Sequence, residues 1–144
     1  MRIETSIEVL KPPDVIWPVM VDVERWPEWT SSVSKIERLD SGPFGLGSRV
    51  RIRQPKLKVM TWSVKEFELG RFFTWETRSP GIYVTGRHEI RPTDSGSLVT
   101  LTVNQTGWLA SLLSPFFTPL ARRYVQIEAQ GLKKRCEEMA AATR

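Results

Sequence analysis

From Ser32 to Thr106 apolar side chains recur at every second position, and turn residues interrupt the pattern at short intervals. That period of two belongs to half-buried strands, and breaks so close together leave no room for crossover helices. Six strands are expected. Ser32 to Leu39 is the first. In Ser48 to Gln54, Val50 and Ile52 oppose Arg49, Arg51 and Arg53, and in Val59 to Leu69, Met60, Trp62 and Val64 oppose Thr61, Ser63 and Lys65. Arg71 to Arg78 groups Phe73, Trp75 and Thr77. Ile82 to Arg91 places Ile82, Val84, Gly86, His88 and Ile90 on one face. Leu98 to Thr106 points Val99, Leu101, Val103 and Gln105 inward. Gly42-Pro43-Phe44-Gly45, Gly70, Pro80-Gly81 and Thr93-Asp94-Ser95-Gly96 supply the turns of an antiparallel meander.

A further strand precedes this run: Arg2 to Leu10 alternates, with Ile3, Thr5, Ile7 and Val9 on one side. Pro12-Pro13-Asp14 stops it, and Asp14 is the expected N-cap of a short helix carrying Val15, Ile16, Val19 and Met20, with Pro18 in its first turn. A second short turn spans Asp22 to Trp29, where Trp26 and Trp29 would share a face. After the meander, Gly107 to Pro119 is dense in apolar residues but contains Pro115 and Pro119. From about Pro119 to the end a helix is expected, with Leu120, Tyr124, Ile127 and Gly131 in one stripe and Val125, Leu132, Cys136 and Met139 widening it.

Strands and helices are segregated, so the class is α+β: a seven-stranded curved antiparallel sheet around a long C-terminal helix, with two short helices after the first strand. At 144 residues the chain fits one domain, residues 1–144, because two cores would each bury too little surface. A sheet of seven strands must twist and curl, and one helix is too narrow to cover its concave face. A cavity between the two is the geometric consequence.

Composition excludes several classes. No apolar run approaches the ~20 residues that span a bilayer, and charged residues within Met1 to Leu10 argue against a signal peptide. A cytoplasmic location is expected. One cysteine and one histidine build neither an internal disulfide nor a common zinc site, so no metal is expected. No phosphate loop, dinucleotide fingerprint or Gly-x-Ser-x-Gly elbow is present, and no cofactor is expected. The net charge is +5, and the acid-free stretch between Asp40 and Glu66 holds Arg49, Arg51, Arg53, Lys56, Lys58 and Lys65. Such a run suits an anionic partner, but a solvated strand face guarding a sheet edge is the preferred reading, and nucleic acid is not an expected partner.

The sequence also resembles the START/Bet v 1-like (SRPBCC) superfamily, and within it the bacterial polyketide cyclase/dehydrase group. Ile7 to Pro27 (IEVLKPPDVIWPVMVDVERWP) is similar to that family's opening strand, Pro-Pro helix start and Asp…Trp-Pro signature; Gly47 to Val50 and Phe73 to Glu76 resemble its central strands; Gly131-Leu132-Lys133 matches a Gly-Leu-Lys of its last helix. The resemblance implies a helix-grip fold with an internal ligand cavity. It covers lipid carriers, hormone receptors, cyclases and chaperone activators, so it implies a ligand rather than a reaction.

The residues expected around the ligand are Trp62, Phe73, Trp75, Thr77, Val84, Gly86, His88, Val103 and Gln105 from the sheet, and Leu120, Tyr124 and Ile127 from the helix. Trp62, Phe73 and Trp75 would form aromatic walls. His88, the sole histidine, falls on the apolar face, with Gly86 leaving room beside it. It is the candidate catalytic residue, as a general base helped by Tyr124 or Thr77; otherwise it hydrogen-bonds a ligand, a backbone carbonyl or Gln105. Glu66 and Glu76 face outward by alternation, so no inward carboxylate pair is evident. Trp108 to Phe117 would permit contact with a bilayer, but a gate over the cavity mouth is the preferred reading. The expected function is binding or transport of a small hydrophobic molecule such as a lipid, polyketide or aromatic metabolite. The alternative is a cyclase/dehydratase using His88 for proton transfer.

Overall fold

The computed structural model describes residues 1–142, so Thr143 and Arg144, where the expected C-terminal helix would end, lie outside the described residues. Seven strands form one antiparallel sheet: β1 (Arg2–Val9), β2 (Lys35–Arg38), β3 (Arg49–Arg53), β4 (Met60–Glu68), β5 (Phe72–Ser79), β6 (Ile82–Thr93) and β7 (Gly96–Thr106). Their order is β1-β7-β6-β5-β4-β3-β2, a meander whose first strand returns to pair with the last. Helix α1 (Pro13–Val21) and a 3-10 turn (Val23–Glu28) follow β1, and α2 (Trp108–Ala142) crosses the concave face. This is the curved-sheet, helix-grip architecture that the alternation required.

Four local expectations need correction. Pro12, not Asp14, holds the cap position of α1, and no side chain caps that end; Pro13 opens the helix and Asp14 lies in its first turn. Pro18 falls in the second turn, inside a helix of only 9 residues. The basic strand β3 is not an edge, because β2 pairs along it and Arg51 reaches Glu37 across that pair at 2.9 Å. Finally, α2 begins at Trp108 rather than near Pro119 and runs through both prolines. Pro115 cannot donate to the carbonyl of Ser111, but Ser114 Oγ donates to that same oxygen at 3.1 Å. The first N–H groups of α2 are met by the carbonyl of Gly81, which accepts from Leu109 N at 3.0 Å and Ala110 N at 3.3 Å.

The motifs behind the family resemblance have physical causes. Trp26 is buried, and its indole N–H donates to the carbonyl of Met20 at 3.0 Å, which locks the 3-10 turn onto the end of α1. Its ring lies 5.4 Å from that of Trp29, the shared face expected of two tryptophans three apart. Asp22 pairs with Arg25 at 3.4 Å, on the surface. Gly131 lets α2 touch the backbone of this turn, since a Cβ there would fall on the carbonyl oxygen of Trp29. The core lies beneath that crossing: Ile16, Met20, Val23, Phe73, Ile90, Val99, Leu132 and Cys136 are all buried. Each large apolar side chain buried this way contributes about 1.5–3 kcal/mol.

β4 breaks its alternation between Val64 and Glu66, where the pairing with β5 shifts register. Lys65 and Glu66 are both exposed, and Phe67 returns to pack on the core. A bulge of this kind bends the strand and increases its local twist.

Candidate functional site

α2 performs two tasks along its length. From Leu132 onward its buried positions pack on the core, whereas Leu109, Leu113, Phe117, Ala121, Val125 and Glu128 roof a cavity of about 430 Å³. The spacing of three and four residues keeps these positions on one helix face. The floor comes from the inward residues of β4 to β7, and the β3–β4 loop (54–59) closes one side.

Trp62, Trp75, Thr77, Val84, Gly86, His88, Val103, Gln105, Leu120 and Tyr124 line this cavity. Two other expected residues do not. Phe73 is fully buried one layer down, where its ring stacks on His88 at 4.5 Å with an interplanar angle of 10°. Ile127 points into an adjoining groove rather than the cavity itself, because the helix turns Val125 and Glu128 inward instead. The space expected beside Gly86 is occupied by Trp75: a Cβ on Gly86 would meet the indole Nε1 at 2.9 Å. Phe116, Met60, Ile82 and Leu101 also line the cavity, beyond those expected.

The central finding is the partner of His88. Its Nε2 lies 3.1 Å from Glu128 Oε2, with both side chains largely buried. The contact is one of ion-pair range rather than an aligned hydrogen bond, and Nδ1 has no partner among the described residues. Phe73 stacks beneath the imidazole, and the rings of Trp75 and Trp26 flank it at 5.4 and 5.3 Å. The histidine is therefore not satisfied by Gln105 or by a backbone carbonyl; Gln105 Oε1 is itself buried without a partner. An inward carboxylate does exist, and α2 rather than the sheet supplies it. The signal in the sequence was an acid at helical spacing from Tyr124 and Val125, legible only once α2 is known to roof the cavity.

The expected helpers of His88 are engaged elsewhere. Thr77 Oγ1 donates to the carbonyl of Thr61 at 2.8 Å. The Tyr124 hydroxyl donates to the carbonyl of Pro55, joining α2 to the β3–β4 loop at the cavity mouth. Burial raises the pKa of that phenol, and Arg123 opposes the shift, so it remains a donor at neutral pH. Glu76 and Glu66 face outward; Glu76 accepts from the Tyr83 hydroxyl at 2.6 Å. No third metal-ligating side chain joins His88 and Glu128 among the described residues.

At the N-terminal end of α2 the surface is apolar: Trp108 is 72% exposed, Leu112 70% and Phe116 57%. The neighbouring Leu109, Leu113 and Phe117 turn inward, so this segment forms part of the cavity wall and also faces solvent. No helix among the described residues is long and apolar enough to cross a membrane.

The comparisons with known proteins agree with this geometry. An aromatase/cyclase, Zhui, from Streptomyces sp. R1128 superposes with a TM-score of 0.79 at 16% identity, over 97% of this chain and 95% of that one. A START superfamily protein from Mycobacterium smegmatis gives 0.78 at 17%, over 96% and 98%. A protein of Thermus thermophilus gives 0.77 at 18%, over 98% and 99%. At such identities these likenesses establish the fold. No curated protein matches the sequence. The model of one family, described as polyketide cyclase / dehydrase and lipid transport, matches residues 1–138, nearly the full length, and the chain belongs to that family.

Proposed function

We propose that the protein binds a small, mostly apolar molecule in the cavity under α2, with the His88–Glu128 pair hydrogen-bonding the polar group of that molecule. The observation that carries this reading is one buried acid–base pair within an otherwise largely apolar chamber. A volume of about 430 Å³ falls in the usual range for small-molecule pockets, ~300–1,000 Å³. The family description supports either a cyclase or a carrier.

The same pair favours a second reading, proton transfer of the cyclase/dehydratase type. Nδ1 is the unpartnered nitrogen and would serve as the base, and the Glu128 carboxylate 3.1 Å from Nε2 would stabilise the imidazolium formed when it takes a proton. That reading requires a substrate on the Nδ1 side of the ring.

Native mass spectrometry of protein purified from its host tests both. A non-covalent adduct that survives gentle desorption, and that Trp75→Ala weakens, is the expected result. Protein that never retains a ligand, and that binds no apolar fluorophore, would sink the binding reading. Once a ligand is identified, His88→Ala separates carrier from catalyst: a carrier loses at most affinity, whereas a cyclase loses turnover by about 10²–10⁴.

A further inference from the structure

A second, more open groove of about 420 Å³ adjoins the cavity and shares Lys56, Phe116, Leu120 and Tyr124 with it. Its charged walls are Lys56, from the β3–β4 loop, and Arg123, from α2. Neither forms an ion pair among the described residues, and the same holds for the nearby Lys58 and Arg122. Most arginines on the sheet do have carboxylate partners, for example Arg51 with Glu37, Arg78 with Glu76 and Arg87 with Glu66. The difference has a sequence cause. No Asp or Glu occurs between Asp40 and Glu66 or between Asp94 and Glu128, and the fold brings these two acid-free stretches together at the cavity mouth. The one carboxylate of the chamber, Glu128, is engaged with His88. Positive charge at the mouth is therefore uncompensated.

We propose that this groove is the head-group subsite of the cavity, and that the ligand is an anionic amphiphile. Its apolar body fills the chamber, and its carboxylate, sulfate or phosphate lies between Lys56 and Arg123. A guanidinium and an ammonium on two different elements, at the rim of an apolar chamber, suit an anionic oxygen group and leave an uncharged ligand unrecognised at that end. Such a group would also draw the loop towards α2, on the side where Tyr124 already joins Pro55. The inference rests on the cavity-binding reading above and adds the chemical class of the ligand.

The test compares two fluorophores, 8-anilinonaphthalene-1-sulfonate and its uncharged counterpart N-phenyl-1-naphthylamine, on the wild-type chain and on the double variant Lys56→Gln/Arg123→Gln. Both residues are exposed, so the variant should fold as the parent does. The sulfonate should lose about five- to ten-fold in affinity, while the neutral probe changes less than about two-fold. Added salt should weaken sulfonate binding to the wild type and have little effect on the variant. Equal losses for both probes, or an unchanged sulfonate affinity, would overturn the subsite while leaving the cavity reading intact. Failure of both probes to bind the wild type would overturn the cavity reading and this inference with it. Anionic phosphatidylglycerol vesicles form the third arm. If the double variant stops sedimenting with them yet binds the free sulfonate like the parent, the cations serve a bilayer and the subsite is wrong.

Discussion

Glu128 meets His88 at 3.1 Å from the opposite wall of the cavity, so the sheet and α2 are joined by a buried polar contact where the two are otherwise kept apart. His88→Ala would leave a largely buried carboxylate without its close polar neighbour in the chamber and should cost about 1–3 kcal/mol. Glu128→Gln keeps the shape and polarity of the side chain beside Nε2 and should cost less. Urea denaturation of both single variants and the double variant tests this; costs that simply add would mean the pair is not coupled.

Gly131 and the Trp29 carbonyl occupy a contact with no room for a methyl group. Gly131→Ala must lift α2 or displace the 3-10 turn, at about 1–3 kcal/mol. A drop in thermal midpoint is expected, although alanine is the better helix former and would stabilise an open position. An unchanged or raised midpoint would show that the crossing has room to spare.

Tyr124→Phe removes the hydroxyl that joins α2 to Pro55. The residue is partly exposed, so global stability should move by less than about 1 kcal/mol. Release of a bound fluorophore, followed by stopped-flow dilution, should accelerate several-fold. Identical release rates would mean that ligands do not leave past this contact.

Cys136 is fully enclosed on the inner face of α2, and burial pushes its thiol up to about 12. The thiolate is the reactive form, so native protein should resist iodoacetamide at pH 8 and react fully in denaturant. Rapid labelling of the folded chain would show that this part of the helix opens readily.

Glu137 accepts from Lys133 at 2.7 Å and from the Leu10 amide at 3.0 Å, tying α2 to the chain just after β1, and these bonds hold its carboxyl below the usual range. A lowered folded-state pKa contributes stability above the unfolded value of 4.5 that is lost as pH falls through the folded value. Glu137→Gln should flatten the acid limb of the stability profile as pH falls below the unfolded value of 4.5. An acid limb identical to the parent's would remove these contacts as its cause.

The period-two alternation from Ser32 to Thr106 determined the seven-stranded meander together with β1, because a strand with one apolar face has a single workable orientation. It also determined which faces of β4 to β7 point inward, and so which sheet residues could reach a cavity. Where the rule failed, a local bond was responsible. Pro115 reads as a helix stop, yet Ser114 Oγ satisfies the carbonyl that the proline abandons, and α2 gains about three turns. That extension brings Leu109, Leu113 and Phe117 into the roof, whereas the rotation of α2 about its own axis turns Val125 and Glu128 inward instead of Ile127 and places a carboxylate opposite His88. Phe73 and Trp75 share one face of β5, but only the curl of the sheet decides that one is core and the other is wall. The pairing of His88 with Glu128 spans 40 positions of sequence, as does no periodicity within one element. Patterns of burial are written locally, whereas the meeting of two polar groups depends on how the helix lies across the sheet, and only the tertiary structure decided that.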